Sequence, residues 1–277
     1  MRKQKATLGA AVKWLILIVL LILIAFPLAQ VFLNAFRTTR ELKRRPFGFP
    51  AQWHFENWSE TWRVGEYGQA FLNSIVVSGV SICAELLIVG LAAYAIAKMK
   101  FRGRNFLDGY FFASMSISSF LYIVTDYFML SKLGMINTHA GLILTHLARN
   151  IPFNLLILRT FISDIPGEIG ESAKLDGCTE LQAFFRIIVP ITKTIFFTVA
   201  ILVFVATWNE YLWSNTFITS PSLKTVNTRY VRFIGDNTAD LARIYTSSAI
   251  TILPIIAIYL IFSRQFIDGI TSGSVKG

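Results

Sequence analysis

Long apolar stretches divided by short polar ones set the frame of this chain. Six runs are close to or above the ~20 apolar residues that a helix needs to cross roughly 30 Å of hydrocarbon. They cover residues 14–36, 71–97, 106–130, 140–162, 195–217 and 245–262. The pattern predicts an all-α integral membrane protein with six transmembrane helices, built as one transmembrane domain over residues 1–277. Pro27, Pro152 and Pro254 lie inside three of the runs and predict local kinks, because each removes a backbone donor. The fourth run opens with His146, Arg149 and Asn150, so its start is expected against protein rather than lipid.

Composition agrees. Hydrophobic residues make up 54% of the chain and charged residues 15%, too little charge to cover a soluble domain of this length. The net charge of +10 would suggest nucleic acid in a soluble protein. Here the basic residues flank apolar runs, as membrane orientation and anionic lipid favour, so lipid is the expected partner and nucleic acid is not. Cys83 lies in an apolar run and Cys178 in a polar insertion, which argues against a disulfide between them. Arg2, Lys3 and Lys5 precede the first run as in a signal peptide. That run is too long and lacks a small-residue cleavage site, so a retained helix is expected.

The most informative stretch is a polar insertion over residues 164–194, between the fourth and fifth runs. Pro166 suits the first turn of a short helix, and Glu168 and Glu171 favour its positive end. Gly177 follows as a left-handed stop. Thr179 then caps a second helix, and Gln182 completes a capping box. Leu181, Phe184, Phe185 and Ile188 recur at the spacing of one helical face, and Pro190 closes the helix. This helix–turn–helix could lie on the membrane surface or sit in a groove on a partner. Its acidic residues Glu171, Asp176 and Glu180 disfavour anionic lipid.

Within it Glu171, Ala173, Gly177, Ile187 and Pro190 fall at the spacing E-x-A-x3-G-x9-I-x2-P. This resembles the EAA loop of the permease subunits of ATP-binding-cassette importers, the segment that docks onto the ATPase. Ser172 stands where that family usually has a second alanine, and Val189 where leucine precedes the proline. Other stretches are similar to the carbohydrate-uptake branch, and to the smaller permease of maltose-type importers. They are Asn73-Ser74, the run Ala93-Tyr94-Ala95-Ile96-Ala97 ahead of Phe101-Arg102-Gly103, residues 159–166, Trp208-Asn209-Glu210 and the ending 268–277.

The resemblance implies a cytoplasmic coupling loop in which Glu171, Ser172, Ala173, Asp176, Gly177, Leu181, Phe184, Phe185, Ile187 and Pro190 meet the ATPase. It also implies a second permease subunit, two ATPase subunits that carry the ATP and magnesium, an external solute-binding protein and a carbohydrate cargo. No cofactor is expected on this chain itself. The tail over 263–277 is polar and glycine-rich, with no apolar stripe to fold on. A disordered end is expected in isolation, and by resemblance it would reach between the ATPases.

Orientation does not follow from charge alone. With the N-terminus inside, the inner segments hold thirteen lysines and arginines and the outer ones eleven. The dense, short 98–104 loop and the need for residues 164–194 to face an ATPase place both termini in the cytoplasm at the plasma membrane. The basic run 37–45 speaks against that orientation.

Glu85, Asp126, Arg149 and Glu210 lie in or near apolar runs, where ionisable groups are costly and face an interior or water. For Glu85 and Asp126 structural pairing and a proton or substrate path both stay open. Trp208, Asn209 and Glu210 are the expected substrate-path residues, since hydrogen-bonding groups beside an aromatic face suit a sugar. Trp53, Trp58 and Trp62 read as membrane anchors. The segment near 218–244 reads as a solvated loop or a contact for the binding protein. The chain has no G-x-x-x-x-G-K-[ST] phosphate loop and no nucleophile–base set, so it is expected to be a transport subunit and not an enzyme. The rival reading is a proton-coupled secondary transporter, a class that typically carries internal repeats, of which the sequence has no sign.

Overall fold

The computed structural model describes residues 2–234 and 240–271, with side chains for 9–234 and 240–263. Among the described residues the chain is helical without strands. It falls into two compact units, Met1–Gly68 with Arg229–Pro254, and Gln69–Thr228 with Ile255–Gly277.

The first unit begins with α1, Arg2–Asn34. Its apolar part is exposed all round, and the most apolar window contains no buried residue. A helix in that condition is stable only in lipid. Two short helices follow, α2 (Thr39–Arg44) and α3 (Glu56–Val64). Between α1 and α2 sits Arg37, which is buried. Its guanidinium donates to Glu41 Oε1 at 2.9 Å, Asn34 Oδ1 at 3.0 Å and the Arg45 carbonyl at 2.6 Å. The basic run 37–45 is therefore a folded turn around one buried arginine, with Arg40, Lys43, Arg44 and Arg45 exposed. The tryptophans expected as anchors also pack on neighbouring rings. Trp53 and Trp58 gather around Phe36, with ring centroids 5.3 and 5.5 Å away, and Trp62 stacks on Tyr67.

The next helix is α4, Tyr67–Lys98, of which all but the first two residues belong to the second unit. Where residues 106–130 read as one span, the chain instead forms α5 (Arg104–Ser114) and α6 (Ile123–Lys132), bent by 93°. The break at 115–118 has neither proline nor glycine. Ser114, Ser116 and Ser118 surround it, and Ser114 Oγ donates to the Phe111 carbonyl, a side-chain bond that competes with the helical ladder. Next comes α7, His139–Ser163, capped by Thr138, which accepts from the Gly141 amide. The polar insertion contains α8 (Gly167–Leu175), α9 (Glu180–Ala183) and α10 (Val189–Ile191).

The expected span over 195–217 is broken too, into α11 (Lys193–Trp208) and α12 (Leu212–Phe217). The last helix, α13 (Leu241–Thr271), runs through Pro254. Its backbone stays helical well into the segment expected as a disordered tail, because the apolar pattern of 245–262 propagates the helix past its own end. Residues 272–277 of that tail, and Gly235 and Asn237 of the outer loop, lie outside the described residues. By length and composition the described residues hold four candidate spans, or up to six if two bent pairs each count as one: Arg104–Ser114 with Ser119–Lys132, and Glu180–Ile191 with Lys193–Trp208, the latter bent by 84°.

The core of the second unit joins α4, α7 and α11 through Val89, Ala93, Leu158, Ile162, Phe196 and Val199. Gly90 lets α11 approach, since a Cβ there would stand 2.8 Å from a Phe196 ring carbon. At the other end of α4, Asn73 Nδ2 donates to the Ser222 and Lys224 carbonyls, and Ser74 Oγ accepts the Val226 amide. The Asn-Ser pair thus holds the 218–228 segment, which is an ordered strap and not a free loop.

Candidate functional site

The insertion between α7 and α11 is built from local signals that the sequence carries in full. Pro166, extended at ψ 137°, is the N-cap of α8, one place earlier than first-turn proline predicts. Gly177 adopts φ +80°. Its amide reaches the Lys174 carbonyl and the Cys178 amide reaches the Ala173 carbonyl, each at 3.0 Å, which completes a Schellman stop. Thr179 and Gln182 form the reciprocal capping box, at 3.3 and 2.9 Å.

Beyond α9 the helix widens. Residues Phe184–Ile188 form a π turn in which the Val189 amide bonds the Phe184 carbonyl. Pro190 lacks the donor that would keep the α ladder regular there, and an extra residue in the turn accommodates it. The widened turn splits the expected apolar face. Phe184 and Ile188 are buried in the core of the unit, whereas Leu181 and Phe185 are 60% and 51% exposed. With Leu175, 89% exposed, they give the segment an uncovered apolar surface. Of the other predicted residues, Ala173 is buried against the bundle, Ile187 is half-buried, and Glu171, Ser172, Asp176, Gly177 and Pro190 are exposed.

Tyr94 and Lys98 of α4 bind the insertion and an ion pair braces it from within, and sequence reasoning missed all of these contacts. Tyr94 Oη donates to Glu180 Oε2 at 2.7 Å, and Lys174 Nζ pairs with Glu180 Oε1 at 2.7 Å. Lys98 Nζ donates to the Ser163 and Ile165 carbonyls, at 3.2 and 2.5 Å. Tyr94 also packs its ring 5.6 Å from that of Phe184. These groups border a cleft of about 510 Å³ that Glu171, Lys174 and Ile187 also line. The available signal was the aromatic residue inside the small-residue run Ala93–Ala97, where a tyrosine stands out. The cleft offers charge and shape for a protein contact. Among the described residues no group of three His, Cys, Asp or Glu could hold a metal.

The intramembrane charges are engaged by protein groups. Asp126 accepts from Trp213 Nε1 at 3.3 Å, and the Arg149 guanidinium lies 3.8 Å over the same indole. Glu210, one place before the Tyr211 N-cap, accepts the first-turn Trp213 and Ser214 amides of α12, both at 2.8 Å. Trp208 is buried, stacked on Phe204 and edge-on to Phe71. Asn209 alone of the three is exposed, and its carbonyl accepts from Asn227. The structure thus places Trp208, Asn209 and Glu210 at the break between α11 and α12, with three different environments.

Residues 87–267, which hold the insertion and its anchoring helices, match the family described as binding-protein-dependent transport system inner membrane component. The chain belongs to this family. A probable ABC transporter permease protein of Bacillus subtilis (strain 168), YurM, is 31% identical over 275 residues, covering 99% of this chain and 91% of the relative. The melibiose/raffinose/stachyose import permease protein MelC of the same organism is 31% identical over 230 residues, 83% of each chain. A chain of a bacterial ABC transporter involved in the import of the acidic polysaccharide alginate has the same fold. Its TM-score is 0.84 at 17% identity, over 95% of this chain and 98% of that one. The protein is a membrane-embedded permease component of a binding-protein-dependent importer, a transport subunit and not an enzyme.

Proposed function

We propose that this permease carries a carbohydrate into the cytoplasm, with residues 164–194 as the docking surface for an ATPase. The observation that carries the reading is the exposed apolar trio Leu175, Leu181 and Phe185 on a capped helical segment that is bonded to α4 through Tyr94 and Glu180. An exposed apolar surface on a polar segment marks a partner site. The bond to α4 gives a partner's movement a route into the bundle.

The carbohydrate cargo is supported by relatives named for melibiose, raffinose and stachyose and for trehalose, and by the alginate importer. In the full reading α5 with α6 crosses once and α11 with α12 crosses once, giving six spans in one domain over 1–277, with both termini and the 164–194 segment in the cytoplasm. The working complex then holds a second, different permease, two ATPase subunits that bind ATP and magnesium, and an external solute-binding protein. A second solved structure of similar fold (TM-score 0.67), a bacterial alginate ABC transporter in complex with alginate pentasaccharide-bound periplasmic protein, supports the last partner. The chain binds no cofactor itself. Within the substrate path Asn209 is the group free to face solute, with Trp208 and Glu210 fixing the break that presents it.

Copurification tests the docking. The wild-type chain, extracted with its partners, should bring down the ATPase. Leu181→Asp and Glu171→Lys should lose it while still recovering the second permease. ATPase recovery that is unchanged in both variants would refute the assignment.

A further inference from the structure

Glu85 is wholly buried, midway along the membrane-crossing helix α4. Its Oε1 accepts from Asn154 Nδ2 of α7 at 3.0 Å. The other two oxygens of this pair, Glu85 Oε2 and Asn154 Oδ1, are both buried and both without a partner. An ionised glutamate is an acceptor only. In that form it would be a lone buried anion, which an apolar interior strongly disfavours, and the amide oxygen of Asn154 would have no donor. One proton on Oε2 removes both faults, because the resulting hydroxyl can donate to Asn154 Oδ1.

We propose that Glu85 is a neutral carboxylic acid, closed with Asn154 into a two-bond acid–amide ring that fixes α4 to α7. It is a positioning residue and not a proton carrier.

The charged groups on these helices are committed elsewhere. Arg149 lies over Trp213, Arg159 pairs with Asp108 at 2.6 Å, and Lys98 and Tyr94 serve the insertion. His146, buried on α7, is two turns from Asn154, roughly 12 Å along the axis. On α11, which packs against α7, Lys193 is the one charged residue and sits at the first position.

The two ties between α4 and α7 also agree in register. Glu85 and Asn154 are separated by 69 positions, and Lys98 and its carbonyl partners by 65 and 67. Parallel helices keep such an offset nearly constant. Two bolts about 20 Å apart along α4 make α4 and α7 one body, and the 164–194 segment hangs from it through Tyr94 and through the end of α7.

Infrared difference spectra of the assembled permease, wild type minus Glu85→Gln, test the proton directly and without reference to transport. A protonated carboxyl C=O band that persists at neutral and mildly alkaline pH is expected. A carboxylate pair of bands in its place would overturn the proposal. The second arm rests on the importer reading and measures uptake. Glu85→Gln keeps both bonds of the ring, since its amide can donate to Asn154 Oδ1, and should leave uptake and its pH profile unchanged. Glu85→Ala and Asn154→Leu should lose folded protein, and the exchanged pair Glu85→Gln with Asn154→Asp should recover it. Loss of uptake in Glu85→Gln, with the complex intact, would make Glu85 a titrating group and refute the assignment.

Discussion

The carboxylate of Glu210 holds Ser214 twice, taking its backbone N–H at 2.8 Å and its hydroxyl at 3.0 Å, both on Oε2. The other oxygen takes the Trp213 amide. A charge inside the bundle is thereby satisfied by the free amides at the start of α12, where a helix end favours an anion. The arrangement sets the break that ends α11, and with it the exposed position of Asn209.

Removing this cap should cost stability before it touches recognition. Glu210→Ala leaves two buried amides without acceptors and is expected to destabilise by about 1–3 kcal/mol. Glu210→Gln keeps one acceptor oxygen and should lose less. Asn209→Ala should leave thermal unfolding of the purified permease unchanged and weaken the apparent affinity for sugar. Unfolding in detergent and concentration-dependent uptake, measured on the same samples, separate the two effects.

Gly90 is a second point of strict demand. A Cβ at this position would meet ring carbons of Phe196 at 2.8 Å and Phe184 at 3.1 Å, inside the core where α4 meets α11. Gly90→Ala should therefore cost about 1–3 kcal/mol by overpacking, despite the better helix propensity of alanine. Gly79, in the same helix with nothing within 4 Å of its Cβ position, is the control. Gly79→Ala should be neutral or slightly stabilising in the same melting assay.

Outside the membrane, Glu66 bonds Arg232 at 3.1 Å and Arg229 at 3.2 Å. The Arg232 hydrogen bond and charge, with help from Arg229, hold its carboxyl below the usual value. A lowered folded-state pKa stabilises above the unfolded value and loses that contribution as pH falls through the folded one. Thermal stability of the wild type should drop across the mildly to strongly acidic range. In Glu66→Gln that part of the drop should be missing, while stability at neutral pH is lower than in the wild type.

Much of this was legible in the residues themselves. Gly177, Thr179 and Gln182 act within a few positions of one another, so their stop and capping box follow from local chemistry. The apolar face over 181–188 was legible only in part. Pro190 widens the turn before it, and that change of phase separates Phe184 and Ile188, which face the core, from Leu181 and Phe185, which do not. The break at 115–118 has no proline or glycine to announce it. The contacts of Arg37, of Tyr94 with Glu180 and of Glu85 with Asn154 depend on tertiary approach. A pattern of apolar positions records none of these.

The most direct test of coupling uses the bond between Tyr94 and Glu180, because it joins the docking segment to α4. Proteoliposomes holding the complete importer allow sugar carried and ATP hydrolysed to be counted in one sample. Tyr94→Phe removes one hydroxyl, a charge-assisted bond worth about 1.5–3 kcal/mol when buried and less at this partly exposed site. The ratio of sugar carried to ATP hydrolysed should fall in Tyr94→Phe with ATPase binding intact. A ratio equal to that of the wild type would contradict the route from the 164–194 segment to α4.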